Sequence, residues 1–359
     1  MLWDSQIALG GIRVKNRIVF PPLSCNWADK DGFVTSRVVD FYKAIAEGGA
    51  GMIVVSGTAV SPEGKGTDRS LCINDDVSLD GFERLAKAIR RNNSFASIQL
   101  MHVGGQGNPR LTGHESIAPS VYRCKTTGFR ALALDIEEIA IIRQKFIHSA
   151  ILAARAGFQA VELHLAHGYL LHEFLSAYTN NRSDAYGGSL ENRARLILEI
   201  ISGIYKEAPD IILGARVSGE DYVKGGIDEE TNKTLLPLLE DAGIRYFSVT
   251  AGIYDTALLK NEAMERGYFF KYSKAVKKIV NEPVIGVGKI LDMESAERHL
   301  ADGDCDMVAI GRGLVADPMM LAKVKAGQRY SRCDECGVCQ FLKLGKKELS
   351  CPVREKTYA

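Results

Sequence analysis

The sequence has little excess charge and no long hydrophobic run. Its 359 residues include 45 Lys and Arg against 44 Asp and Glu, so the formal net charge is +1. A near-neutral chain has no basic footprint for nucleic acid, and we expect no nucleic-acid partner. Because no run of about 18 apolar residues is present, we also expect no membrane span. The N-terminus lacks the basic and apolar regions of a signal peptide, which predicts a cytoplasmic protein.

Cysteine is sparse over most of the chain and concentrated near its end. Four of the eight cysteines are scattered, whereas Cys333, Cys336, Cys339 and Cys351 crowd the C-terminal segment. Disulfide frameworks belong to small secreted chains that are cysteine-rich throughout, so this distribution argues against one. The pattern favours a reduced protein with a single metal-binding cluster.

Short apolar runs recur along the chain, with helical stretches between them. The eight runs are Ile18–Phe20, Gly51–Val55, Ala96–Leu100, Ala160–Leu163, Ile211–Val217, Tyr246–Thr250, Val284–Val287 and Met307–Ile310. Continuous runs rich in Val and Ile are typical of strands that are buried on both faces of a parallel sheet. Several intervening helices end on glycine, as helix C-termini often do.

Eight such β/α repeats predict an α/β fold, specifically a (β/α)₈ TIM barrel. A doubly wound sheet is the alternative, but no G-x-G-x-x-G sequence stands at a strand-to-helix turn to support it. We predict that residues 1–328 form the barrel. A short C-terminal cysteine-rich, metal-binding segment follows over residues 329–359.

Two histidines and a tyrosine directly follow the fourth apolar run, at His164, His167 and Tyr169. Catalytic groups of TIM barrels lie at the C-terminal ends of the strands, so the position favours an active site. Paired histidines can also bind zinc, but no carboxylate or cysteine close by in the sequence completes such a site. A third interpretation is that all three are buried polar residues with satisfied hydrogen bonds.

Long segments around these residues closely resemble the signature of the Old Yellow Enzyme family of flavin oxidoreductases. The matching segments, in chain order, are Asn16–Ser24, Ser97–Leu100, His164–Ser176, Asn181–Arg193, Arg216–Ser218, Gly286–Gly288 and Ile310–Pro318. The resemblance covers the whole chain. It implies an NAD(P)H-dependent flavin oxidoreductase with FMN at the mouth of the barrel.

The resemblance also implies the residues that bind FMN. The ring is expected between Pro22, Leu23 and Gly57, with Ser24 and Gln99 at its polar edge and Arg216 as the cation near N1 and O2. Gly288, Gly311 and Arg312 are expected at the phosphate. An amide offers both a donor and an acceptor, a guanidinium stabilises a reduced anionic ring, and arginine binds phosphate through two parallel hydrogen bonds.

In the family that the chain resembles, FMN takes hydride from NAD(P)H and passes it to an activated alkene. The expected substrates are small molecules, α,β-unsaturated carbonyls or thioesters, whose C=C bond is reduced. His164 and His167 match the donors to the substrate carbonyl, and Tyr169 matches the proton donor to the α-carbon. Asn26, Trp27 and Tyr254 are further candidates for the substrate pocket.

The terminal cysteines follow the pattern C-x₂-C-x₂-C-x₁₁-C. This spacing suits Zn²⁺ and an iron–sulfur cluster equally well, and four unliganded surface thiols are the alternative. The segment resembles the [4Fe-4S] loop of 2,4-dienoyl-CoA reductases and trimethylamine dehydrogenase, multidomain members of the same family. The resemblance favours a [4Fe-4S] cluster, with zinc as the alternative.

Those multidomain proteins continue with two nucleotide-binding domains, which this sequence does not contain. We therefore expect either a separate electron-donating reductase or direct reduction of FMN by NAD(P)H. An alternative function is an amine dehydrogenase or demethylase that passes electrons through the cluster, and a non-enzymatic zinc-bearing barrel is a third. The histidine pair suits a carbonyl oxygen better than an amine. By family analogy we expect a homo-oligomer.

Overall fold

Eight parallel strands close into a barrel in the computed structural model, which describes residues 1–256, 265–340 and 347–358. The strands of the described chain are β1 (Ile7–Leu9), β2 (Ile12–Val14), β3 (Ile18–Phe20), β4 (Met52–Ala59), β5 (Phe95–Met101), β6 (Ile117–Ala118), β7 (Tyr122–Arg123), β8 (Arg130–Ala133), β9 (Ala160–Leu165), β10 (Ile212–Ser218), β11 (Ile244–Thr250), β12 (Val284–Gly286) and β13 (Met307–Ala309). The barrel order is β3, β4, β5, β9, β10, β11, β12, β13 and back to β3. The predicted TIM barrel is therefore confirmed.

Helices fill most of the connections between barrel strands. Those in the described residues are α1 (Ser36–Glu47), α2 (Leu79–Arg90), α3 (Pro109–Thr112), α4 (Ile136–Arg155), α5 (Leu170–Leu175), α6 (Leu190–Glu207), α7 (Glu229–Asp241), α8 (Phe270–Val276), α9 (Met293–Ala301), α10 (Arg312–Ala316), α11 (Met320–Lys325) and α12 (Pro352–Tyr358). Polar side chains fix several of their starts. Asp135 and Glu138 form a reciprocal capping box on α4, and Ser189 caps α6. In this part of the chain, no helix has the length and apolarity needed to cross a membrane.

The N-terminal end of the barrel is closed by the hairpin β1–β2. Leu9 and Val14 of this hairpin belong to one buried cluster with side chains from the barrel strands, including Met52 and Val54. Alternate residues of the same strand, such as Ile53, belong instead to the larger cluster that includes side chains of the surrounding helices. With its lower end filled, the barrel can accept a ligand only at the C-terminal ends of its strands.

The stretch between residues 103 and 134, which follows β5, contains short elements of regular structure. The short helix α3 and the three-stranded sheet β6–β8–β7 lie within it. These strands are two to four residues long, too short to show a repeating hydrophobic pattern. The sheet places a small folded cap beside the C-terminal end of the barrel.

The C-terminal segment returns to the first barrel loop. The backbone N–H of Leu349 donates to the carbonyl of Cys25 at 3.0 Å, and the Leu349 side chain is buried. The amide of Asn26 donates to the Lys347 carbonyl, and Arg37 forms an ion pair with Glu348 at 2.8 Å. These contacts fasten residues 347–349 beside the loop that carries Ser24.

Candidate active site

The chain turns sharply after β9, and this turn brings His167 and Tyr169 back towards His164. His167 and Gly168 both have left-handed backbone conformations, with φ of 62° and 76°. The Gln106 amide donates to the His167 carbonyl at 2.7 Å, and a β carbon at residue 168 would lie 2.0 Å from the same amide nitrogen. The left-handed conformation therefore favours glycine at residue 168, and a β carbon there would also displace the Gln106 side chain.

The rings of His164, His167 and Tyr169 form one cluster. Nδ1 of His167 lies 3.1 Å from Nε2 of His164, and Nε2 of His167 lies 3.1 Å from the Thr250 hydroxyl. The His164 and Tyr169 ring centroids are 4.9 Å apart. The structure thus brings together the three residues that the sequence predicted at the active site.

His164 is held in its neutral form. It is 4% exposed, and burial lowers its pKa well below 6.5, with Arg216 and then His172 lowering it further. Its Nδ1 atom is buried and has no hydrogen-bond partner among the described residues. A neutral imidazole carries one proton, so His164 can donate one hydrogen bond without bringing a positive charge.

The hydroxyl of Tyr169 contacts a second phenol. It lies 3.0 Å from the hydroxyl of Tyr254, which follows β11. Burial raises the pKa of Tyr169 well above 10, and the charge and hydrogen bond of Tyr254 raise it further. Tyr169 therefore keeps its proton throughout the neutral range and can act as a proton donor.

Asp255 holds the segment that carries Tyr254. Its carboxylate accepts hydrogen bonds from the hydroxyls of Tyr122 and Tyr178, at 2.6 and 3.0 Å, and from the backbone N–H of Lys125 at 2.8 Å. One carboxylate thus joins the β6–β8 sheet, the segment after α5 and the segment after β11. Tyr254 was predicted at the pocket from the sequence, whereas Asp255 was not, because its partners are distant in the sequence.

A second polar cluster lies inside the barrel, next to His164. The Gln99 amide on β5 donates to Oε1 of Glu162 on β9 at 2.7 Å, and Arg216 on β10 donates to the Ser248 hydroxyl at 3.2 Å. Glu162 is fully buried, and its Oε2 atom has no hydrogen-bond partner within the described chain. Burial raises the pKa of Glu162 to about 7, against the lowering effects of Arg216 and Gln99. Gln99 and Arg216 were predicted, and Glu162 was not.

The loop after β3 presents Ser24 to solvent and buries Cys25. Ser24 is exposed, whereas Cys25 is 5% exposed and its thiol is 3.5 Å from the Leu23 carbonyl. Burial raises the pKa of Cys25 far above its usual range, so the thiol stays protonated. Asn26 and Trp27, proposed for the substrate pocket, also make internal contacts. Asn26 binds Asp68 and Thr67, and Trp27 packs edge-on against Phe41.

Close packing surrounds Gly57, which was predicted at the ring, and Gly311, which was predicted at the phosphate. A β carbon on Gly311 would lie 3.4 Å from Pro21 and 3.6 Å from Leu23, so the loops after β3 and β13 meet there. A β carbon on Gly57 would lie 3.4 Å from Oε1 of Gln99. Pro22 and Leu23 are half-buried beside this opening. These residues from β3, β4, β5 and β13 converge at one edge of the barrel mouth.

The predicted phosphate residues follow β12 and β13, which are neighbours in the barrel. A β carbon on Gly288 would lie 3.0 Å from the backbone nitrogen of Phe269. Gly311 immediately precedes α10, and Arg312 is its first residue. Arg312 is half-buried and forms no hydrogen bond or ion pair with residues 1–256, 265–340 or 347–358. Its guanidinium remains available to an anion.

The four C-terminal cysteines lie on the same side of the barrel as Arg312. Cys336 is exposed and Cys333, Cys339 and Cys351 are half-buried. Burial raises the pKa of Cys339, Arg312 lowers it, and the other three thiols raise it. Within the described ranges, no three His, Cys, Asp or Glu side chains are arranged as a metal-ion ligand set.

Glu335, between the first two of these cysteines, fastens the segment to the barrel. Its carboxylate pairs with Arg266 at 2.7 Å and with Lys289 at 3.0 Å. Lys289 directly follows Gly288, so the cysteine segment contacts the predicted phosphate loop. Residues 341–346, where Phe341 and Leu342 were expected to pack on the barrel and Lys343 and Lys346 to face solvent, lie outside the described residues.

The chain matches known flavin enzymes over most of its length. Residues 5–331 match the model of the NADH:flavin oxidoreductase / NADH oxidase family. The chain is 40% identical over 342 residues to an NADH oxidase of Thermoanaerobacter brockii, covering 93% of this chain and 52% of that protein. It is 33% identical to an NADPH dehydrogenase of Bacillus subtilis, covering 87% of this chain and 90% of that protein.

A solved complex of 2-naphthoyl-CoA reductase with 2-naphthoyl-CoA superposes with a TM-score of 0.92 at 28% identity. The match covers 98% of this chain and 56% of that one. The chain therefore spans about half the length of several proteins that it resembles, with 52% and 48% of the first two curated relatives covered. The resemblance stated from the motifs is confirmed. The chain belongs to the NADH:flavin oxidoreductase / NADH oxidase family, the family of Old Yellow Enzyme.

Proposed function

We propose that this chain is an FMN-dependent ene-reductase, which transfers hydride from NAD(P)H to the C=C bond of α,β-unsaturated carbonyl or thioester substrates. The observation that carries the proposal is the contact of the neutral His164 with His167, beside the protonated phenol of Tyr169. This arrangement offers donors to a carbonyl oxygen and a separate proton donor close by. Reduction of a polarised alkene needs both.

The residues at the barrel mouth fit FMN. Polar atoms of Glu162 and His164 are buried there without a partner in the described chain, as expected where a polar ring binds. Arg312 offers a guanidinium that pairs with no carboxylate of the described residues, which suits a phosphate group. Pro22, Leu23, Gly57, Gly288 and Gly311 provide close-packed surface around the same opening. When bound, FMN supplies the hydride chemistry, accepting hydride from a nicotinamide and returning it to an alkene.

His164 and His167 orient and polarise the substrate carbonyl. Negative charge grows on that oxygen as hydride reaches the β-carbon, so donors that are already in place stabilise the transition state. Burial keeps His164 neutral, and its contact with His167 restricts the orientations of both rings. Because the two histidine rings already contact each other, a substrate carbonyl oxygen would either replace that hydrogen bond or form an additional one.

Tyr169 supplies the proton that the α-carbon requires. Its raised pKa keeps the phenol protonated at neutral pH, and the Tyr254 hydroxyl at 3.0 Å can accept or donate a hydrogen bond as the charge changes. Ser24, exposed at the barrel mouth, is the proposed hydroxyl beside the flavin O4.

We also propose that Cys333, Cys336, Cys339 and Cys351 together bind one metal centre, a [4Fe-4S] cluster or, alternatively, Zn²⁺. Their spacing supports this, since both centres use four thiolates. The other three thiols raise the pKa of Cys339, which supports a shared neighbourhood for the four cysteines. With a cluster, a separate reductase could supply electrons in place of NAD(P)H. The similarity to 2-naphthoyl-CoA reductase supports a thioester as one substrate class.

Isotope labelling in a single anaerobic turnover tests the proposal. Nicotinamide deuterated at the transferred position should place deuterium on the β-carbon of cyclohexenone or an enoyl-CoA. A reaction in D₂O should label the α-carbon instead, through Tyr169. If neither alkene is reduced but an amine such as trimethylamine is oxidised, the amine dehydrogenase alternative replaces this proposal.

A further inference from the structure

We propose that Glu162 is a positioning residue for the flavin, which fixes the amide of Gln99 and balances the charge of Arg216. The inference rests on the proposed function, because it concerns the same FMN site. Glu162 was not predicted from the sequence, where it stands inside an apolar run and shows no motif of its own.

The contact between Glu162 and Gln99 determines which end of the amide is available to a ligand. Nε2 of Gln99 donates to Oε1 of Glu162 at 2.7 Å. Oε1 of Gln99 lies towards Gly57, where a β carbon would be 3.4 Å away. A carboxylate accepts hydrogen bonds only, so it selects this orientation of the amide over the flipped one. Gln99 therefore presents its carbonyl oxygen, an acceptor that suits an imide N–H of a flavin.

Glu162 also lies within electrostatic range of the buried cation Arg216, although the two side chains form no ion pair in the described part of the barrel. Arg216 lowers the pKa of Glu162, and Glu162 in turn raises the pKa of Arg216, which burial lowers. Both side chains are almost completely buried, where charges interact more strongly than in water. Negative charge that develops on a reduced flavin is attracted by Arg216 and repelled by an ionised Glu162. The charge of Glu162 therefore weakens the stabilisation that Arg216 provides.

Protonation of Glu162 should change this balance. The groups that face it are Gln99 on β5, His164 on β9, Arg216 on β10 and Tyr246 on β11. His164 stays neutral because burial lowers its pKa, and Tyr246 stays neutral because burial raises its pKa well above 10. Arg216 remains charged. With the pKa of Glu162 near 7, its carboxyl is ionised above neutral pH and protonated below it.

Sulfite binding to the FMN-loaded protein measures the charge effect without turnover. A sulfite lone pair forms a bond to flavin N5, the displaced ring electron pair moves towards N1 and O2, and the adduct becomes anionic without a leaving group. The variant Glu162→Gln keeps the size of the side chain and a carbonyl acceptor for Gln99 but removes the charge. At about pH 8.5 we expect its sulfite dissociation constant to be about tenfold lower than that of the wild type. At about pH 6, where wild-type Glu162 is protonated, the two proteins should bind sulfite alike.

A second variant, Glu162→Ala, isolates the positioning effect. It removes the acceptor that orients Gln99, so FMN should bind to the apoprotein about tenfold more weakly, as measured by quenching of flavin fluorescence. Glu162→Gln should stay within about threefold of the wild type in this assay. The matched control is Glu173→Gln, because Glu173 is also fully buried but accepts its hydrogen bonds from the backbone of Gly105. Glu173→Gln should change neither the sulfite dissociation constant nor the affinity for FMN.

Equal sulfite affinities of wild type and Glu162→Gln at about pH 8.5 would overturn the charge balance. Unchanged FMN affinity in Glu162→Ala would overturn the positioning of Gln99. An effect of Glu173→Gln as large as that of Glu162→Gln would show a general response to loss of a buried carboxylate and would also overturn the proposal. A wild-type protein that binds no FMN at all would instead refute the proposed function, so the two failures are distinguishable.

Discussion

Removing the hydroxyl of Tyr169 should separate the two halves of the proposed reaction. In Tyr169→Phe the aromatic ring remains in its cluster with His164, where the ring centroids are 4.9 Å apart. The hydroxyl makes one hydrogen bond, to Tyr254 at 3.0 Å, and a neutral hydrogen bond contributes about 0.5–1.5 kcal/mol. The variant should therefore stay folded and keep FMN.

The effect on chemistry should be much larger than the effect on stability. A positioned general acid typically contributes about 10²–10⁴ in rate, so reduction of cyclohexenone by the reduced flavin should slow by about that factor. Reduction of the flavin by NAD(P)H needs no phenol proton and should be unchanged. Both half-reactions can be followed by the flavin absorbance in anaerobic stopped-flow experiments.

The comparison variant is Tyr254→Phe, which keeps the phenol of Tyr169 and removes only its partner. Its alkene half-reaction should slow by less than about tenfold, since one neutral hydrogen bond is lost. Because burial raises the pKa of Tyr169, the wild-type alkene half-reaction should show no loss from phenol ionisation up to about pH 9. Equal rates for Tyr169→Phe and wild type in alkene reduction, or slowing of flavin reduction alone, would refute the assignment.

Four further variants test other parts of the site. His164→Ala and His167→Ala should each weaken the binding of phenols, which mimic an enolate, and lower the rate of alkene reduction by about 10²–10³. Unchanged phenol affinity in both variants would refute the carbonyl-binding role. Arg312→Ala should weaken FMN binding by about 10–100-fold but leave the binding of riboflavin, which has no phosphate, unchanged. The control Arg329→Ala, at an exposed residue, should change the binding of neither flavin. Equal losses of affinity for both flavins in Arg312→Ala would contradict a phosphate contact. Cys336→Ser should keep the barrel and FMN but lose the metal centre. Elemental analysis of anaerobically prepared wild type should find about four Fe with sulfide, or one Zn, per chain. Negligible metal in the wild type would exclude the cluster.

The barrel was predictable because its strands are buried on both faces. The run Ala160–Leu163 lies within β9, and the run Gly51–Val55 overlaps β4 from Met52 onwards. The six-residue helix α5 was missed because it follows the histidine turn at once and is buried on every side. The hairpin β1–β2 was missed because three-residue strands carry too little pattern.

Part of the site could also be predicted from the sequence, and part could not. His164, Tyr169, Gln99 and Arg216 stand at ends of predicted strands within segments that resemble a known family, so their proximity in the barrel was foreseeable. The contact of Gln99 with Glu162 depends on the register between β5 and β9, in which these two residues are Cα partners. Register between strands far apart in sequence cannot be derived from either strand alone. Only the assembled barrel shows that Glu162 faces the same interior.

The most direct test of the central claim is a two-step measurement on anaerobic wild-type protein. NADH or NADPH should first bleach the visible absorption of bound flavin. Addition of cyclohexenone or an enoyl-CoA should then restore it, with one saturated product formed for each flavin reoxidised. A flavin that is bleached by the nicotinamide but is not reoxidised by either alkene would contradict the proposed ene-reductase function.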